Sequence, residues 1–150
     1  MPQTNRGAYR QSLGWWLRDS LPTHFYIHLV KGTLPTRLTN KLSELTQIEN
    51  GNGYSVAGVQ LTPGETDFEE IIEDDLQFTA FVTVRDIVWT ASGGTIPSDG
   101  QGAEAAVICD DNATVANRDV LAWWPFAGPV IVSDGQPLTV ELLKFRSRTQ

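Results

Sequence analysis

A few residues of this 150-residue chain have types and spacings that bear on chemistry: Ser55, His24 with His28, Asp110-Asp111 and Asp74-Asp75, Glu69, Glu70 and Glu73, and Cys109. Ser55 lies in Gly53-Tyr54-Ser55-Val56-Ala57-Gly58, one residue off the spacing of a nucleophile elbow. It falls inside a predicted strand, whereas an elbow needs a strand-to-helix turn. Both histidines belong to another strand, so no catalytic triad is expected. His24 and His28 share a parity, but four strand residues hold them ~13 Å apart, too far for one ion within one subunit. Only a ring of histidines around a symmetry axis would gather them. Asp110-Asp111-Asn112 and Asp74-Asp75 offer oxygen ligands for calcium without the alternating pattern of a calcium loop. Glu69, Glu70 and Glu73 carry the groups of a glycosidase pair, but nothing in the sequence supplies an aromatic-lined cleft. A single cysteine excludes an internal disulfide and a cysteine-built zinc site, and on a strand of small residues Cys109 reads as a buried apolar filler. No phosphate loop or dinucleotide fingerprint occurs. The expectation is a chain with no catalytic residues, no cofactor and no metal.

The elements that would position these residues read as strands. The longest stretch is Phe78 to Thr90, FTAFVTVRDIVWT, rich in β-branched and aromatic residues and free of Gly and Pro. Phe78, Ala80, Val82 and Val84 share one face; Thr79, Thr83 and Arg85 share the other. Beyond Asp86 the apolar character passes to Ile87 and Trp89 on the opposite parity. A bulge or a change of sheet near Arg85-Asp86 accounts for this. Further strands are predicted at Phe25–Leu29, Tyr54–Thr62, Ala103–Cys109, Val120–Phe126, Val130–Val132 and Leu138–Phe145. On the first of these, His24, Tyr26 and His28 face away from the core. Gly58 marks a bulge or a close backbone approach. Residues 65–75 carry seven acids and no base, and read as an edge strand or an irregular connection. Asn50-Gly51-Asn52-Gly53 and Asp134-Gly135 are turns, and Ala91 to Gly102 is a loop. Tyr9, Leu13, Trp16 and Leu17 form a stripe on a short N-terminal helix. Leu38, Leu42 and Leu45, with Thr39 or Asn40 as N-cap, predict one or two helical turns. The fold class is all-β: an antiparallel, jelly-roll-like sandwich of seven or eight strands with a short N-terminal helix. The expected organisation is an arm and helix over 1–18, a body over 19–145 and a basic tail over 146–150.

Composition excludes several classes. Apolar residues make up 41% and charged residues 19%, ordinary values for a folded domain. No apolar run approaches the ~20 residues of a membrane span, and the first eleven residues lack the apolar core of a secretory signal. Synthesis in a reducing cytoplasm is expected. The net charge of −7 is unevenly placed. Residues 1–18 carry +3, residues 144–150 carry +3, and the body between carries −13. An acidic body argues against a nucleic-acid face. Basic ends suit contact with an acidic neighbour, including another copy of the chain. Trp15 and Trp16 cannot share one helix face, so one of them is expected to meet a second surface.

Two stretches carry a family resemblance. WTASGGTIPSDGQGAEAAVICDDN, from Trp89, and VLAWWPFAGPVIVSDGQPLTVELL downstream resemble small virion proteins of tailed phages. In that family a strand end leads to a Gly-rich loop, then a small-residue strand closed by paired acids, an aromatic strand, a hairpin and a last strand. Upstream, FYIHLV and NGNGYSVAGVQLT are similar to it as well, so the resemblance spans roughly residues 13–143. The chain departs from the family at Trp123-Trp124-Pro125 and in its acidic segment, so no binding surface carries over. The resemblance implies a non-enzymatic virion structural protein, made in the bacterial host. The expected role is capsid decoration or cement, bridging subunits of the major capsid protein as a homo-oligomer, a trimer by first expectation. A place in the neck, tail or baseplate, or a carbohydrate-binding fibre module, is the alternative. No nucleic acid or membrane partner is expected. The assembly interface is expected at Arg6, Arg10, Trp15, Trp16, Arg18, Trp123, Trp124, Arg146 and Arg148, with deletion of 1–18 leaving the body folded.

Overall fold

The computed structural model describes residues 2–10, 14, 21–64, 66–69, 71–76, 79–141 and 143–148. These residues form an all-β fold whose strand pairings are all antiparallel. The strands are β1 (Phe25–Lys31), β2 (Thr46–Gln47), β3 (Val59–Leu61), β4 (Ile72–Asp74), β5 (Thr79–Val84), β6 (Ile87–Thr90), β7 (Ala103–Cys109), β8 (Val120–Val130), β9 (Pro137–Val140) and β10 (Leu143–Arg148). A short helix α1 (Asn5–Tyr9) precedes them. Ten strands replace the expected seven or eight: two long stretches are each divided in two and Thr46–Gln47 adds β2, while Val120–Phe126 runs on to Val130 as β8 and Val132 makes only an isolated bridge to Ile96.

The largest sheet runs β2-β1-β7-β8, with β3 following β2 along the same edge of β1. Its central strands are covered on both faces. Ile27, Leu29 and Ile108 join the main core, while Val30, Val107 and Cys109 join a second cluster with Leu42, Val120 and Trp123. The expected outward face of β1 is therefore buried at His28. The small side chains of β7 suit this double covering, since Ala103, Ala105 and Ala106 are each fully buried and let neighbouring layers close in. The second cluster is roofed by a one-turn 3₁₀ segment, Leu42–Glu44. Lys41 stands at its N-cap position in place of Thr39 or Asn40, and the Glu44 carboxylate accepts from the N–H groups of Asn40 and Lys41.

The stretch FTAFVTVRDIVWT becomes β5 and β6, which belong to different sheets; Phe78 lies outside the described residues. β5 pairs with β10 and β4, and β6 pairs with β9. No residue is inserted at the break. Val84 faces Leu143 and Ile87 faces Val140, so each strand spends two residues on the gap and the register is unchanged. Continued through the gap, the same register would set Asp86 opposite Glu141, and two facing carboxylates disfavour pairing. Val84, Ile87, Val140 and Leu143 are all buried although their parities differ, so the two-stranded ribbon turns as it crosses the core. The bend is held from outside by Asp67, which pairs with Arg85 through its carboxylate and accepts from the Arg85 N–H through its carbonyl at 3.0 Å.

Where turn chemistry is local, the sequence reading holds. Gly51 and Tyr54 exchange both backbone hydrogen bonds at 3.0 Å around Asn52 and Gly53, whose φ angles are 51° and 99°. The strand expected over Tyr54–Thr62 shrinks to β3, because residues 55–58 turn back with an N–H to carbonyl bond from Gly58 to Ser55.

Candidate assembly interface

The basic residues expected to reach outward are drawn onto the body. Residues 2–10 lie along the outer edge of β8. Gln3 bridges Ala122, the Thr4 N–H donates to the Leu121 carbonyl at 3.0 Å, and the Trp123 N–H donates to the Pro2 carbonyl at 3.2 Å. Thr4 is fully buried; its hydroxyl caps α1 by accepting from the Gly7 N–H at 2.9 Å. Gly7 is required there, because a Cβ would collide with the Leu121 carbonyl. One helical turn further on, the Arg10 guanidinium grips Asp119 with contacts of 2.9 and 2.8 Å. Lys41 lies 2.6 Å and Arg6 3.8 Å from the other oxygen of the same carboxylate. Asp119 has no exposed side-chain surface. Burial alone would raise its carboxyl, but hydrogen bonds and charge from Lys41 and Arg10 outweigh burial and hold it below the ordinary carboxylate range. Arg6 and Arg10 thus staple the N-terminal segment to its own body, a correction to the free arm. Deletion of residues 1–18 would strip an edge and leave Asp119 without these two cations.

The expected aromatic patch is also redistributed. Trp123 and Trp124 alternate across β8, so one enters each core layer. Trp123 is only 7% exposed, within the second cluster, and Trp124 is half-buried against the main core. The Trp124 indole N–H finds no hydrogen-bond partner among the described residues. Neither ring forms the open stacking face expected of a glycan platform. Trp15, Trp16 and Arg18 lie outside the described residues. Arg146 and Arg148 belong to β10, opposite Phe81 and Thr79, and not to a tail.

A buried polar cluster was not foreseen. Arg118 is 5% exposed and sits 3.5 Å above the centre of the Tyr26 ring. It donates to the Ala57 carbonyl at 2.7 Å, the Asn112 carbonyl at 3.2 Å and the His28 Nε2 at 3.0 Å. Since Nε2 accepts, His28 carries its proton on Nδ1, which donates to Gln47 Oε1 at 2.9 Å. Burial first, and Arg118 second, push the His28 pKa down from 6.5 to about 4. Gly58 closes over this ring with φ of 81°, and a Cβ there would stand 2.6 Å from the His28 Cε1. His28 is therefore a neutral core residue, not the surface histidine expected, and it is not open to an ion. The sequence signal that could have found the pairing is weak: an arginine beside an acidic loop, ninety positions from its histidine.

Of the remaining chemical candidates, Ser55, Asp110, Asp111 and Cys109 are held in structural roles, Glu69, Glu73 and Asp75 are exposed, and Glu70 lies outside the described residues. The Ser55 hydroxyl accepts from the Ala57 N–H at 3.2 Å within the turn. Asp111 accepts from the N–H groups of Thr23 and His24, and Asp110 from those of Asp119 and Asn112. Cys109 is fully buried, and burial with the nearby Asp110 pushes its thiol far up, which keeps it from forming a thiolate. Burial also lifts Tyr54 to about 12, with its hydroxyl accepting from the Leu29 N–H at 3.0 Å. Among the described residues no group of three or more His, Cys, Asp or Glu is placed to hold a metal ion.

One region is left incompletely covered. In the sheet β10-β5-β4, Ala80, Phe81 and Val82 are each only half-buried, so neither face of β5 is sealed there. Beside them Ile71, Ile72 and Leu76 are 71%, 46% and 89% exposed. Apolar side chains concentrated on an edge mark a surface suited to a partner. No family model, curated protein or solved structure matches the chain.

Proposed function

We propose that this chain is a non-enzymatic structural protein of a tailed-phage virion, and within that class a capsid decoration protein that bridges neighbouring capsid subunits. The resemblance of its strand and loop motifs supplies the class. The observation that carries the bridging role is the uncovered β10-β5-β4 sheet, with Ile71, Ile72 and Leu76 exposed beside it. The contact surface in this reading moves from the N-terminal arm to that sheet. A protein that binds the assembled shell and not its free subunits stabilises the shell by mass action, and several weak contacts per oligomer suffice through avidity.

The test is the copy number of the chain in purified particles, measured by quantitative mass spectrometry against the major capsid protein. The expected result is a number on the scale of the capsid subunits. A few copies per particle would move the protein to the neck, tail or baseplate, and absence from particles would overturn the virion reading.

A further inference from the structure

The two outer strands of the three-stranded sheet carry opposite charge. β4 lies in a segment whose described acids are Asp67, Glu69, Glu73, Asp74 and Asp75, with no base between Thr66 and Leu76. β10 carries Lys144, Arg146 and Arg148, and no acid lies among residues 143–148. Among the described residues no strand pairs with the outer side of either one. Asp74 already has a partner within the chain, which leaves Glu73 as the exposed carboxylate of β4, flanked by exposed Ile71 and Ile72.

We propose that the β4 edge is occupied by the β10 edge of a second copy of this chain, joining copies head-to-tail into a closed ring. Backbone groups on an open edge recruit another strand, and charge decides which strand. A symmetric β4-to-β4 contact would oppose carboxylates, and a symmetric β10-to-β10 contact would oppose cations; both are penalised. The remaining combination matches acid with base. Within the sheet β4 and β10 run parallel, because each is antiparallel to β5. Adding β10 of the next copy therefore continues the sheet in one direction, as a rotational ring requires. Ile71, Ile72 and Leu76 would be covered at each seam. The inference deepens the proposed function: it gives the β4 edge with Ile71, Ile72 and Leu76 to the seam between copies and leaves the half-buried face of β5, at Ala80, Phe81 and Val82, to the capsid. It is tested on purified protein, so it stands or falls apart from particle copy number.

The experiment is analytical ultracentrifugation of the full-length protein with two variants, Glu73→Lys and the double variant Arg146→Glu/Arg148→Glu, each checked for folding by circular dichroism. Wild type is expected to sediment as one discrete oligomer, more stable at low than at high salt. Each variant alone is expected to associate at least tenfold more weakly. Mixing the two is expected to restore assembly, since each repairs the edge the other has lost. A milder Glu73→Gln, expected to weaken association less, replaces Glu73→Lys should that variant misfold. Monomeric wild type, an oligomer indifferent to both charge reversals, or folded variants that stay apart on mixing would each overturn the proposal.

Discussion

In the five-stranded sheet, the edge of β8 at Leu121–Trp123 is covered by residues 2–4, which bond along it in a segment pinned by Arg10 on Asp119. In the three-stranded sheet, β4 and β10 end without such a cover among the described residues, and apolar side chains stand in the open beside them. The two sheets share one chain and one core, through Val84 and Leu143 at the foot of the smaller sheet. They differ in where their polar groups are spent. Around β1, β7 and β8 a buried charge is met by hydrogen bonds or by opposite charge, as Arg118 and Asp119 show. Around β4, Glu73 is exposed, and an exposed charge adds little to folding.

That contrast can be broken at its firm end first. Asp119→Ala removes the carboxylate that gathers Arg6, Arg10 and Lys41, and is expected to cost about 3 kcal/mol in urea unfolding, with residues 2–10 newly open to limited proteolysis. An unchanged midpoint would show that the arm is held by backbone bonds alone. Next is acid. The His28 imidazole titrates near 6.5 when unfolded and near about 4 in the fold, so as pH falls the unfolded chain takes up the proton first. Its contribution is fully present above about 6.5 and declines between 6.5 and about 4, by roughly 3 kcal/mol. Asp119 and Asp67, whose carboxyls are held low, lose their contributions only at lower pH, while burial raises Asp110 and works the other way. Ring NMR of His28 isolates the effect: signals of a neutral Nδ1–H imidazole should persist to below pH 5, and titration near 6.5 would place the ring in solvent.

Gly58→Ala brings a Cβ against that ring at a positive φ and is expected to destabilise by about 2 kcal/mol. The matching change on the open sheet is Leu76→Ser. Its side chain is 89% exposed, so stability should move by no more than about 0.5 kcal/mol while self-association weakens. A large loss of stability from Leu76→Ser, read from the same urea curves, would mean that this sheet is sealed after all.

Much of the fold was legible because its signals are local. The Gly-rich hairpin at 51–53, the loop from Ala91, strand β7 and the edge character of residues 72–74 each follow from residues adjacent in sequence. The change of sheet at Arg85-Asp86 was legible too, as a switch of apolar parity. Its cause was not: the register is kept and the ribbon turns, because Asp86 and Glu141 meet only when two distant strands are paired. The interface residues fared differently. Arg6, Arg10 and Trp123 have the composition of contact residues, and nothing local marks them as engaged at home.

The sequence by itself determined an all-β chain, its turns, and an acidic body with basic ends, since propensity, period and charge are properties of short stretches. Only the tertiary structure decided which cations meet Asp119, that His28 lies neutral beneath Arg118, and that the uncovered surface is the small sheet and not the arm. The first two depend on pairings between residues far apart in sequence, such as Arg10 with Asp119 and His28 with Arg118. Side-chain type alone does not encode such pairings, because a buried charge takes whichever partner the chain's closure brings within hydrogen-bond reach.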